Sequence, residues 1–233
     1  MMQTRTSEIL EAAVREFIKT GEPVSSQHLY DHYRFGVKPA MIRLELNDLT
    51  DHGYLEQPHH SAGRVPTNRG YEFFADYALH EPAEHMQVSR ELSHLWNEME
   101  LPHLLDVFSR ELGMLGVAVD AEEGTVYKEG LENLIERLEW SSRVELRSVI
   151  RDFEEIEERA AGAHAFMEDD DFVKVFIGKK SPVTTSQCLS VVAGNYDVDG
   201  ERVFLFAIGP KRMDYERTVG IFRGLKKRSK SNH

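Results

Sequence analysis

The sequence has very little cysteine and no excess of positive charge. Cys188 is the one cysteine among 233 residues, which excludes an intrachain disulfide and is typical of proteins from the reducing cytoplasm. Against 28 Lys and Arg residues stand 40 Asp and Glu residues, so the formal net charge is −12. Nucleic acids favour positive partners, because their phosphates attract cations. The composition therefore excludes a protein that binds nucleic acid over its whole surface.

Long hydrophobic runs are also missing. No segment approaches the roughly 20 apolar residues that span a bilayer, and Arg5, Glu8 and Glu11 interrupt any apolar stretch that could act as a secretory signal. The sequence contains no phosphate-binding loop, nucleophile elbow or Cys/His dyad. His28 and His32 have the i, i+4 spacing of metal ligands, but no Cys or carboxylate set completes a site beside them. We expect a cytoplasmic protein that is not an enzyme and holds neither a cofactor nor a metal ion.

The acidic residues are unevenly distributed along the chain. Residues 1–79 hold 8 Lys/Arg and 11 Asp/Glu, a balance of −3, whereas residues 80–210 hold 12 and 27, a balance of −15. Residues 211–233 hold 8 and 2, a balance of +6. Most of the acid therefore lies outside the first eighty residues, where a local basic surface remains possible.

Three short helical patterns open the chain. The first covers residues 6–19, with apolar residues at helical spacing on one face. A second, capped by Ser25 or Ser26, ends near residue 33, and a third covers residues 38–52. The predicted buried positions of the three are Ile9, Leu10, Ala13, Val14, Phe17, Ile18, Leu29, Tyr33, Ile42, Leu46 and Leu49.

A turn-rich segment, residues 54–71, follows these helices. Its loop carries His59, His60 and Arg64 between two short strand-like pieces, and such side chains at a hairpin tip suit phosphate or minor-groove contacts. An ordinary surface hairpin is the alternative. Its position directly after three helices favours a winged helix-turn-helix, a fold that holds DNA.

In a helix-turn-helix, the beginning of the third helix enters the major groove. Lys38 and Arg43 could then reach phosphates or guanine edges, and Asn47 adenine or a phosphate. Met41 and Leu44 have two equally supported interpretations, contact with thymine methyl groups or burial in the core. The full set of candidate DNA-binding residues is Ser25, Ser26, Lys38, Met41, Arg43, Leu44, Asn47, His59, His60, Ser61, Arg64 and Thr67.

The rest of the chain predicts a linker and an α+β domain. We expect a winged-helix domain over residues 1–79, a linker helix over 80–102 that begins at Glu81-Pro82-Ala83, and a regulatory or dimerisation domain over 103–233. This last domain has strand patterns around 116–119, 172–177, 190–193 and 202–208, which predict a small, mainly antiparallel sheet with flanking helices. An apolar stripe in the linker is either a dimer seam or core packing, and consists of Leu92, Leu95, Trp96 and Met99.

Several of these segments resemble one family of bacterial regulators. Residues 21–26 and 57–67, together with 190–192 and 209–215 near the other end, are similar to the heat-inducible transcription repressor family, HrcA. The resemblance is dense over the first eighty residues and good over 173–223. It implies a winged helix followed by a GAF-like domain, in a homodimer that binds an inverted-repeat operator and represses chaperone genes. It also implies a GroE-type chaperonin as partner.

The chain departs from the family pattern in two respects. Members are considerably longer, and here only a few residues separate Val119 from Val126, so we expect a truncated GAF-like domain. Lys38, Met41 and Leu44 stand where the family favours Ser, Thr and Asn, so the operator is expected to differ. Two alternatives remain open: a small-molecule-sensing regulator, and a protein-interaction adaptor whose winged helix no longer binds DNA.

Overall fold

A computed structural model describes residues 4–80, 88–138, 142–162, 172–198 and 200–229. The chain divides into two compact units, unit 1 (Met1–Tyr77) and unit 2 (Ala78–His233). The predicted linker start at Glu81-Pro82-Ala83 lies outside the described residues. Among those described, no helix has both the length and the apolar composition needed to cross a membrane.

Unit 1 consists of helices and one small hairpin. Its elements are α1 (Thr4–Thr20), α2 (Ser26–His32), α3 (Pro39–Asp51), β1 (Leu55–Glu56), β2 (Val65–Pro66) and α4 (Asn68–His80). The strands β1 and β2 are antiparallel, with Leu55 opposite Pro66 and Glu56 opposite Val65. The three predicted helices and the hairpin are thus confirmed as elements.

The core of unit 1 is formed mainly by the faces predicted from helical spacing. Phe17, Ile18 and Tyr33 are only half-buried, unlike the other predicted positions. Burial of each large aliphatic side chain contributes roughly 1.5–3 kcal/mol relative to exposure. The fully or nearly fully buried members are Ile9, Leu10, Ala13, Val14, Leu29, Ile42, Leu46, Leu49 and Leu55.

Unit 2 is an α+β domain built on one antiparallel sheet. Its strands are β3 (Leu115–Asp120), β4 (Val126–Glu129), β5 (Val173–Ile177), β6 (Leu189–Val198) and β7 (Glu201–Pro210), in the order β4-β3-β7-β6-β5. Its helices are α5 (Arg90–Asn97), α6 (Leu101–Leu112), α7 (Leu131–Arg137), α8 (Arg143–Ala161) and α9 (Tyr215–Ser229). The predicted mainly antiparallel sheet with flanking helices is confirmed.

Helices cover both faces of this sheet. On one face, Val117 and Phe206 pack with residues of α7 and α8 such as Leu134 and Ile156. On the other face, α5, α6 and α9 supply aromatic contacts, including Phe108 against Phe222 at 5.8 Å between ring centroids. Successive strand residues point to opposite faces of a sheet. A strand that is buried on both faces therefore has a continuous run of apolar residues, as β7 does.

The structure corrects the interpretation of residues 80–102 as a separate linker. The helix α5 packs against α6 and α9, and Leu92 and Trp96 are 0% exposed. Trp96 lies edge-on to Tyr196, with 4.7 Å between ring centroids. Leu92 and Trp96 are therefore buried within a single chain and belong to the core of unit 2. Leu95 and Met99 are half-buried.

A buried carboxylate joins α8 to the segment before β6. The Asp152 side chain is 2% exposed and accepts hydrogen bonds from Thr185 N at 2.8 Å, Ser186 N at 2.9 Å and Arg159 Nη1 at 2.7 Å. Burial alone would raise the pKa of Asp152, but these hydrogen bonds outweigh it and the pKa is lowered. The carboxylate is therefore charged and fully engaged.

Candidate nucleic-acid interface

The outer surface of α3 carries four of the twelve predicted DNA-binding residues, Met41, Arg43, Leu44 and Asn47. It lies opposite the buried seam of Ile42, Leu46 and Leu49, as the helical period requires. Arg43 and Asn47 are exposed. Met41 is 40% and Leu44 58% exposed, so neither side chain lies in the core. One of the two interpretations left open by the sequence is thereby excluded.

The beginning of α3 adds a second basic residue to this surface. Lys38 is the N-cap of α3 and makes no side-chain cap hydrogen bond, and Pro39 follows it at the first helical position. Orphan N–H groups and the helix dipole make such an end favourable for anions. Arg34 lies in the turn before Lys38, and the two residues line one open cleft. Arg34 is not among the residues predicted from the sequence to bind DNA, because no periodicity marks it.

Arg64 does not lie on a free hairpin tip, which corrects the sequence prediction. Its backbone forms an isolated antiparallel bridge with Val24, with N–O distances of 2.8 and 2.9 Å. Its guanidinium donates from Nε to Thr50 Oγ1 at 3.0 Å and from Nη2 to Asn47 Oδ1 at 2.6 Å. Arg64 therefore joins the hairpin to α3. Thr50 could not be predicted as part of this site, because its partner Arg64 is 14 residues away along the chain.

The hairpin loop itself is held by short local contacts. Gln57 Nε2 donates to His60 O at 3.0 Å and to Ala62 O at 2.9 Å. A side chain on Gly63 would place its Cβ only 2.5 Å from the carbonyl atoms of Val24, so this close approach requires glycine. His59, His60 and Ser61 are exposed at the tip. Their polar side chains can therefore be reached by solvent or by a ligand.

Two predicted contact residues have structural roles in unit 1, and their contact with DNA stays a prediction. The Ser25 hydroxyl accepts a hydrogen bond from His28 N at 3.1 Å and caps α2. The Thr67 hydroxyl donates to Gly53 O at 2.7 Å and accepts from Gly70 N at 3.3 Å. Ser26 is the first residue of α2 and is half-buried. We therefore assign Ser25 and Thr67 to the folding of unit 1.

Several acidic side chains of unit 1 are compensated internally. Glu45 accepts from Arg5 at 2.7 Å and from Thr6 Oγ1 at 2.6 Å. The hydrogen bond from the Thr6 hydroxyl is the largest reason that the pKa of Glu45 is lowered; burial opposes it, and the Arg5 guanidinium adds to the lowering. Internal pairing reduces the repulsion that this carboxylate would exert on an approaching phosphate.

Glu16 is the buried acid of the unit. Its Oε2 lies 2.6 Å from His28 Nε2, and its Oε1 accepts from the Tyr33 hydroxyl at 3.0 Å. Burial would raise the pKa of Glu16, but the hydrogen bonds of His28 and Tyr33 outweigh it and lower the pKa. The pKa of Tyr33 rises to about 12, because of its own burial and of the Glu16 carboxylate.

Small molecules and metal ions are the other ligands considered from the sequence. A cavity of about 260 Å³ beside the β3–β4 turn of unit 2 is lined by residues that include Asp120, Arg202 and Phe204. It is smaller than the 300–1,000 Å³ of most small-molecule sites. Within the described ranges, no group of three His, Cys, Asp or Glu side chains is placed to hold a metal ion.

Comparison with known proteins identifies the family. Residues 73–219 match the family model of the HrcA protein C-terminal domain, which is more than half of the chain. The chain belongs to the HrcA family. The heat-inducible transcription repressor HrcA of Carboxydothermus hydrogenoformans is 46% identical over 83 residues, which are 36% of this chain and 24% of the relative. That of Natranaerobius thermophilus is 53% identical over 72 residues, 31% of this chain and 21% of the relative. Each match thus spans about a quarter of the HrcA relative's length or less.

A solved structure shares the fold over almost the whole chain. It is described as the crystal structure of a hypothetical protein at 2.2 Å resolution, and it superposes with a TM-score of 0.78 at 16% identity. The likeness covers 98% of both chains. At this identity it concerns the fold alone.

Proposed function

We propose that this chain is a sequence-specific DNA-binding transcriptional repressor of heat-shock genes. In this proposal unit 1 is a winged helix-turn-helix and unit 2 is a truncated GAF-like domain that regulates it. The observation that carries the proposal is the exposed face of α3, where Lys38, Arg43 and Asn47 flank Met41 and Leu44. This mixture of cations, an amide and apolar groups matches the phosphates, base edges and thymine methyl groups of a major groove.

Repression would follow from occlusion of a promoter. A homodimer places its two recognition helices in successive major grooves, roughly 34 Å apart, and so reads an inverted repeat. The names of the HrcA relatives support heat-inducible repression as the function. A GroE-type chaperonin is the proposed partner that keeps the repressor active, and heat or misfolded protein relieves repression.

The charge distribution sets how strongly such a protein holds DNA. Unit 1 has a negative net charge, so binding depends on the few cations placed around α3. It also depends on the pairing of Glu45 with Arg5 and of Glu16 with His28, which shields these two acids. Each phosphate neutralised adds about −0.9 to the slope of log affinity against log salt. Contacts by Arg34, Lys38 and Arg43 would give a slope of roughly −3 for each protomer.

A salt titration of DNA binding tests the proposal. Labelled duplexes, one set from a random-sequence library and one selected by the protein, are titrated by fluorescence anisotropy at several salt concentrations. A repressor enriches a discrete motif and shows a steep slope with both sets. Weak affinity at every salt concentration would instead support the adaptor alternative. Arg110→Ala, which removes an exposed cation of unit 2, is the control and should leave the slope unchanged.

A further inference from the structure

We infer that Arg64 and Asn47 form one recognition unit that presents mainly N–H donors to DNA and favours guanine over adenine. The inference rests on the proposed function, since it concerns the base read beside the middle of α3. It differs from the sequence prediction, in which Asn47 by itself could reach adenine or a phosphate. It is based on the hydrogen-bond geometry around Asn47, Thr50 and Arg64.

The orientation of the Asn47 amide follows from its partner. A guanidinium has five N–H donors and no acceptor, so the Asn47 atom that lies 2.6 Å from Arg64 Nη2 must be the oxygen, Oδ1. Bonds from a cation to an oxygen are among the stronger hydrogen bonds in proteins. Arg64 therefore occupies one of the two lone pairs of this oxygen, and the amide NH2 has no partner among the described residues.

Arg64 is itself fixed at both ends, so this orientation is held before DNA arrives. Thr50 donates its hydroxyl proton to Leu46 O at 2.8 Å and accepts from Arg64 Nε at 3.0 Å. The Arg64 backbone is held by its bridge to Val24, against which Gly63 packs without room for a side chain. A preorganised donor set loses less conformational entropy on binding than a mobile one.

The chemistry of the bases then decides the preference. Adenine presents the N7 acceptor and the N6 donor, so a bidentate contact needs one donor and one acceptor from the protein. Guanine presents two acceptors, N7 and O6. Three of the five Arg64 donors have no partner among the described residues, so together with the Asn47 NH2 they outnumber the one remaining lone pair of Asn47 Oδ1. The pair therefore matches the two acceptors of guanine better than the acceptor and donor of adenine.

The test measures base preference in four proteins. The full chain, Asn47→Ala, Arg64→Ala and Arg69→Ala are each used to select duplexes from a random library, and dissociation constants are measured on guanine and adenine versions of the enriched site. We expect a roughly tenfold preference for guanine at one position in the unaltered chain. Asn47→Ala should reduce this preference, because it removes the amide NH2 and the oxygen that orients Arg64, while the Arg64 donors remain. Arg64→Ala should shift the same position towards adenine, because it frees the Asn47 oxygen.

Arg69→Ala is the matched control. Arg69 is a neighbouring arginine that donates to His52 O at 2.7 Å and lies over the Tyr54 ring, so its loss should lower affinity equally on both duplexes. The readout is a ratio of two affinities for one protein sample, so a partly unfolded variant gives the same ratio as a folded one.

Three results would overturn the inference while leaving the proposed function intact. The first is that the unaltered chain prefers adenine at the position that depends on Asn47. The second is that Asn47→Ala and Arg64→Ala change the preference at different positions. The third is that Asn47→Ala loses affinity equally on both duplexes, which would indicate a phosphate contact. Failure of the unaltered chain to enrich any motif would overturn the proposed function as well, so the two failures are distinguishable.

Discussion

Arg43 is the exposed cation of α3 that lies next to its buried seam at Ile42. If it contacts a base, Arg43→Ala should weaken binding to a selected duplex by roughly 1–3 kcal/mol, and binding to random duplex much less. Anisotropy titrations on both duplexes measure the two losses. Equal losses on the two would show that Arg43 contacts a phosphate instead.

The buried Glu16 should make the stability of unit 1 depend on pH. Its pKa is lowered in the folded state, so the charged carboxylate stabilises unit 1 above its ordinary pKa of about 4.3. This contribution is lost as the pH falls through the lower, folded-state value.

Hydrogen exchange of the α1 and α2 amides, measured from neutral pH to pH 3, checks this dependence. Protection should fall more steeply with acid in the unaltered chain than in Glu16→Gln, which has no titrating group at this position. Glu8→Gln, an exposed change on the same helix, should keep the steep dependence. Identical profiles for the unaltered chain and Glu16→Gln would contradict the expectation.

At the level of residues, the sequence predicted which side chains face outward but not which ones pair. Helical spacing was enough to place Arg43 and Asn47 on the surface. The pairing of Asn47 with Arg64, 17 residues apart, depends on how the hairpin folds back onto α3, and no local pattern encodes it. The capping role of Ser25 follows from its position before a helix. The hydrogen bonds of Thr67 to the carbonyl groups of Gly53 and Tyr54 could not be predicted, because those residues are distant in the sequence.

Among the elements, α8 depends on the buried Asp152 for its attachment to the segment before β6. Asp152→Ala would leave the N–H groups of Thr185 and Ser186 and the Arg159 guanidinium without this acceptor. We expect the free energy of unfolding to fall by roughly 2–4 kcal/mol, measured by urea denaturation.

Glu155→Ala is the control for this change. Glu155 pairs with the same arginine, Arg159, but on the exposed side of α8, and surface ion pairs contribute only about 0–1 kcal/mol. Comparable losses for the two variants would show that the ion pair, rather than the bonds to the Thr185 and Ser186 backbone, holds α8 in place.

The elements were predicted well where their pattern is local and poorly where it is not. Apolar runs and turn residues located four of the five strands that the structure describes in unit 2, since each run is bounded by its own breakers, whereas β4 (Val126–Glu129) was not predicted. The strand order of the sheet could not be predicted from the sequence, because it depends on pairing between distant segments. In one such pair, β3 lies beside β7, with Leu115 opposite Ile208. The stripe of α5 was ambiguous for the same reason: an apolar helix face packs equally well on its own sheet or on a partner.

At the scale of the whole molecule, we expect a homodimer in solution. An inverted-repeat operator requires a two-fold protein, and a single small reader gives limited specificity. Light scattering at micromolar concentration should give about twice the 26.8 kDa mass of one chain. Because Leu92 and Trp96 are buried, the seam must use other surface, and substitution of either should lower stability rather than dissociate a dimer. A single-chain mass both free and on operator DNA would refute the dimer.

Cys188 can serve as a chemical probe of local opening in unit 2. The thiol is half-buried and its pKa is raised, first by burial and then by the nearby Glu145, so it reacts slowly while the fold is closed. It follows directly on the segment that Asp152 holds. As the single thiol of the chain, it allows the rate of maleimide labelling to time each opening of that segment, without an engineered cysteine and without a background to subtract.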